Sequence, residues 1–144
     1  MAHPESCHGT TLLELLAVLT LLGVLYALVM PQYRQVVIRS NRSEGQALLV
    51  DAAARQARHY AQTQQYITAQ HALTALHWPV TENGEVHSAT GLYRLLSEPG
   101  DGGYLLKAEP LGQQRTDSGC ATLWLNGLGT RGSSGTASAM ECWK

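Results

Sequence analysis

Glu14 is the residue with the clearest chemistry to perform. It is the single formal charge in an apolar run of nineteen residues from Leu12 to Met30. An ionised carboxylate in hydrocarbon costs on the order of a few kcal/mol unless it lies near an interface or meets a partner. The spacing alone leaves two readings: an acid that recruits a cation, or an acid that marks the edge of the apolar segment. Arg34, Arg39 and Arg42 lie just past the run and read as a solvated face in contact with lipid headgroups. His59, His71, His77 and His87 fall in no Cys/His or His-x-x-x-His spacing with acidic support, so no metal site and no cofactor are expected. No nucleophile context and no phosphate-cradling glycine loop stands out. The expectation is a protein that is not an enzyme.

The elements that position these residues follow from periodicity. The Leu12–Met30 run has about the length needed to cross a bilayer core as a helix, or to form a helix buried on all sides. Past Pro31 the chain continues to about Gln62 with apolar Val37, Ala47, Leu48, Ala52, Ala53 and Tyr60 at roughly helical spacing. This predicts one helix from about Thr11 to Gln62, roughly 75–80 Å long at 1.5 Å per residue. Gly23 and Pro31 are its expected bends, since Pro31 cannot donate to the ladder. Ser40-Asn41 and Gly45 are its weak points.

Thr63 to Ser88 reads as a connecting loop with a helical turn near His71 to Leu76. Short strands are predicted at Leu92 to Ser97, Tyr104 to Ala108, Cys120 to Leu125 and Leu128 to Arg131. Pro99 to Gly103 is a turn signal between the first two, and Asn126-Gly127 a hairpin signal after the third. Trp124 is expected in the core. Gly132 to Ala139 reads as a small, polar tail. The layout is α+β: a long N-terminal helix packed on a small antiparallel β-sheet.

Gly9-Thr10-Thr11-Leu12-Leu13-Glu14, with Gly23, Pro31 and Tyr33 downstream, resembles the N-terminus of type IV prepilins. There a short leader ends in Gly, and the mature helix carries Glu at its fifth position. The chain departs from that pattern in having Thr10 where Phe is usual, and a leader without Lys or Arg. The head segments SNRSEGQALLVDAAARQARHYAQ, TENG, CATLWLNGLGTRG and ECWK resemble PilE-type minor pilins, a group with a disulfide-bounded C-terminal segment.

The resemblance implies the type IV pilin fold, with a leader over 1–9, a methylated transmembrane helix half over 10–33, and a periplasmic head over 34–144. It implies cleavage after Gly9 by the prepilin peptidase and N-methylation of Thr10. In the family the carboxylate at the position of Glu14 pairs with the N-terminal amine of a neighbouring subunit. Loss of the leader would remove Cys7 and leave Cys120 and Cys142. That pair closes a loop of about 22 residues, worth roughly 3 kcal/mol if formed without strain, or else stays as two free thiols. It would also remove Glu5, leaving ten acids against ten bases and a net charge of zero.

The implied function is a minor pilin of the type IV pilus, supporting assembly, with twitching motility and adhesion by analogy. The alternatives are a major pilin, a type II secretion pseudopilin or a DNA-uptake pilin. The implied partners are other major and minor pilins, the prepilin peptidase, the inner-membrane assembly platform and, before assembly, membrane lipid. Zero net charge and few clustered bases speak against nucleic acid. The implied location is the inner membrane, then the extracellular pilus.

Overall fold

The computed structural model describes residues 11–78 and 83–144. Helix α1 spans Leu12–Thr63, and two compact units meet within it, Met1–Val37 and Ile38–Lys144. In the first unit, the Glu14 amide donates to Thr11 Oγ1 at 3.3 Å and the Leu15 amide to Thr11 O at 3.1 Å. Thr11 thus caps the helix, accepting amides that would otherwise lack a partner. The backbone stays α-helical through Gly23 and Pro31.

The second unit is the α+β layer pair. Strands β1 (Val86–His87), β2 (Tyr93–Glu98), β3 (Leu105–Pro110), β4 (Leu123–Asn126) and β5 (Arg131–Ser133) form one antiparallel sheet in sequential order. Inward residues alternate along the strands as the two-residue period requires. Tyr93, Leu95, Leu106, Ala108, Leu123 and Leu125 are buried with Leu48, Leu49 and Ala52 of α1. A short helix α2 (Ala139–Cys142) follows β5.

The buried stripe of α1 is Gly45, Leu48, Leu49, Ala52 and Gln56, while Ala47 and Tyr60 are exposed. The expected stripe holds at Leu48 and Ala52, with Ala53 packed against the core, and misses at Ala47 and Tyr60, where the inward position one turn before Tyr60 is taken by a polar residue. Gln56 is fully buried, donating to Ile67 O at 2.5 Å and accepting from the Ile67 amide at 2.9 Å. Gly45 is a packing site rather than a weakness. A Cβ there would lie 3.0 Å from the Tyr93 ring, so glycine's cost of about 1 kcal/mol in a helix is offset by close contact with β2.

The chain between α1 and β1 holds a 3-10 helix at Gln70–Leu76. Gln70 donates to Leu95 O at 2.9 Å and accepts from the Ser97 amide at 3.1 Å. Its amide continues the ladder where two-residue β1 stops, covering an otherwise open strand edge. Between β4 and β5 the connection is longer than a two-residue hairpin: Asn126 Oδ1 accepts from the Leu128 and Thr130 amides at 3.1 and 2.9 Å. Trp124 is only half-buried, on the face opposite Leu123 and Leu125, and its ring lies on Gly132, whose added Cβ would come within 2.0 Å of it. The expected tail, Gly132 to Ala139, instead begins inside β5 and ends on the first residue of α2.

Candidate functional site

The sequence-predicted site residues fall in two places. Gly9 and Thr10 lie outside the described residues. Glu14 lies in the first turn of α1, exposed, and Gly23 has open space around its Cα. Every large apolar side chain from Leu12 to Val29 is at least half exposed. Such a stretch is long and apolar enough to cross a membrane. A soluble monomer rarely leaves that much contiguous apolar surface open, so the segment is built to be covered.

The other place is the C-terminal segment. Cys120 and Cys142 are joined, with S–S at 2.01 Å. Four further contacts fasten the same stretch. Gln46 on α1 donates to Cys142 O at 2.9 Å. Ser138 and Glu141 form a reciprocal capping box at the start of α2. Trp143 Nε1 donates to Gly132 O at 2.9 Å, and the Arg131 guanidinium sits 5.1 Å from the Trp143 ring centre.

Beneath it lies an ion pair. Arg42 reaches from α1 with Nε and Nη2 to the two oxygens of Asp117 at 2.7 and 2.8 Å. The Asp117 side chain is 3% exposed and that of Arg42 14%. Asp117 Oδ1 also accepts from the Cys120 amide at 3.3 Å, and Gln114 donates to Ile38 O of α1 at 3.1 Å. The Asp117 hydrogen bonds hold the Arg42 guanidinium above its ordinary range, against the opposing cost of burial. Burial pushes the neighbouring Tyr93 phenol up to about 12.

Sequence reading grouped Arg42 with Arg34 and Arg39 as a solvated face; the structure gives Arg42 a buried partner 75 residues away. Asp117 itself carried only a turn signal in Asp117-Ser118-Gly119. Elsewhere on the sheet, Arg94 bridges Glu85 and Glu109 at 2.6 Å each. Lys107 pairs with Glu98. Among the described residues no three His, Cys, Asp or Glu side chains gather as a metal site.

What this arrangement does is mechanical: an apolar helix that needs covering, and a head whose last residues are fastened to α1 and the sheet. Residues 31–124 match the family described as "Type IV minor pilin ComP, DNA uptake sequence receptor". No curated protein matches the chain.

Proposed function

The chain belongs to the type IV minor pilins, and from that premise we propose a pilus subunit that is cut after Gly9, N-methylated at Thr10 and held in the inner membrane by its apolar helix before assembly. Pilins are structural, not enzymatic, and so is this chain. The observation that carries the proposal is the family match over 31–124, joined without a break in α1 to the exposed apolar stretch. In this reading the stretch moves from lipid into a bundle of like helices. Gly23 and Pro31 are where the bundled helix bends or unwinds, since neighbours can satisfy the freed backbone groups. The Cys120–Cys142 loop keeps the last strand and α2 on the head in an oxidising compartment.

Processing gives the first test. Gly9→Val places a branched side chain where the peptidase must approach the backbone closely. The expected result is protein about 1 kDa heavier than the mature form, retained in the membrane fraction by immunoblot. Normal maturation of that variant would remove the leader assignment and the numbering of Glu14 that depends on it.

A second reading, a receptor for DNA during uptake, is favoured by the matched family's description. It runs against the expectation that nucleic acid is a disfavoured partner and takes up the DNA-uptake alternative. A zero net charge does not settle the matter, because binding depends on cations placed together rather than on their sum. Titrating the full chain in detergent with a DNA duplex across a salt series tests it. Each neutralised phosphate should contribute a slope of roughly −0.9 in log affinity against log salt. No binding at low salt would leave assembly as the whole function.

A further inference from the structure

Beside the 3-10 helix Gln70–Leu76, a cleft of about 200 Å³ is lined by Arg55, Arg58, His59, Gln62, Leu76 and His77, with Ala75 at its side. Residues 55, 58, 59 and 62, at i, i+3, i+4 and i+7, share one stripe of α1. Among the described residues the lining contains no carboxylate. Arg55 is committed: Nε pairs with Asp51 at 3.2 Å, Nη1 donates to Leu76 O and His77 O at 3.2 and 2.7 Å, and the guanidinium lies 4.2 Å above the Trp78 ring centre. Arg58, His59, Gln62 and His77 are different. Among the described residues their side chains make no hydrogen bond or ion pair.

Two further observations mark this cleft. His77 sits in the left-handed region at φ 54°, ψ 43°, a position that favours glycine and costs a side chain of this kind on the order of 1 kcal/mol. The strain is held by Arg55 on the His77 carbonyl and by the His77 amide on Thr74 O at 3.0 Å. The usual reason for cations near a helix C-terminus is the helix dipole, but that effect fades beyond the last turn. The last turn of α1 carries no basic residue, and Arg58 and His59 lie before it.

We propose that this cleft binds a tetrahedral oxyanion of the phosphate class, with Arg58, His59, Gln62 and His77 as donors and Arg55 as the fixed wall that sets His77 in place. Unpartnered donors converging without a counter-charge are what such an anion requires. The site stands apart from helix assembly and from processing at Gly9, so its failure would leave the pilin reading intact.

The test uses the full chain in detergent micelles and calorimetric titration with inorganic phosphate at constant ionic strength. Arg58→Gln and His77→Gly are each expected to weaken binding about tenfold or more, the order of one lost charge-assisted hydrogen bond. Arg115→Gln, an exposed arginine elsewhere on the head, should bind as the parent does. His77→Gly should also raise the urea midpoint, because glycine relieves the left-handed strain. A purely structural His77 would move the midpoint and leave affinity alone. Equal affinity in all four proteins, or no phosphate binding by the parent, overturns the site. Competition by a DNA duplex or by phosphatidylglycerol vesicles then identifies the source of the phosphate, and competition by neither leaves the free anion as the occupant.

Discussion

Asp117→Ala is expected to destabilise the head by about 3–5 kcal/mol, the usual cost of stripping one partner from a buried ion pair. The magnitude comes from what is left behind rather than from what is lost. Arg42 would remain with its guanidinium mostly out of water and with neither of the oxygens its Nε and Nη2 now hold. The Cys120 amide would lose its contact with Asp117 Oδ1 as well. Urea unfolding of the full chain in micelles, followed by tryptophan fluorescence, reads this cleanly. Trp78, Trp124 and Trp143 all lie in the second unit, so the apolar helix is silent. An unfolding free energy within 1 kcal/mol of the parent would mean that the pair contributes no more than an exposed one.

The same cycle separates stability from specificity. Replacing both partners by apolar residues of similar size, Arg42→Met with Asp117→Leu, removes both desolvation costs together and is expected to recover most of the loss. If the double variant keeps the parent's stability and still places the C-terminal segment on α1, the Cys120–Cys142 bond and Gln46 suffice to fasten it. The pair would then serve to choose the register of the 112–120 turn against α1.

What could be read from the residues alone divides by range. The long helix was legible because an apolar run and a periodic stretch abut without a strong breaker other than Pro31. Strands β2 and β3 were legible because each is a short apolar run beside the Pro99–Gly103 turn. The core position of Gln56 on α1 was not, since the residue is polar and only its partner Ile67 explains its burial. Strand β1 was invisible: two residues, one of them His87, carry no period. Strand β4 starts later than expected because Ala121 adopts φ 50° and the chain from Cys120 is still turning. The partners of Arg42 and Gln46 are out of reach of any local pattern, since they come from 75 and 96 residues downstream. Glu14 is the opposite case, a charge so out of place in its neighbourhood that position alone singles it out.

That placement sets the prediction with the largest functional effect. Glu14→Gln keeps the shape of the side chain and its helical position but removes the charge. In a filament core a carboxylate and an amine about 4 Å apart attract by roughly 4 kcal/mol at an effective dielectric of about 20, which corresponds to about a thousandfold in subunit affinity. The variant is therefore expected to be cleaved like the parent, because four residues separate Glu14 from the proposed cut after Gly9, yet to be nearly absent from sheared pili while accumulating in the membrane. Glu14→Ala should behave the same way, since both lack the charge. If a hydrogen bond alone were needed, Gln would incorporate and Ala would not. If Glu14 only marked the edge of the apolar segment, both variants would enter pili at the parent's level, because either neutral residue is cheaper than an acid beside lipid. Immunoblots of sheared and membrane fractions from the three strains distinguish these cases, and the charge-pairing account survives only if both neutral variants are excluded.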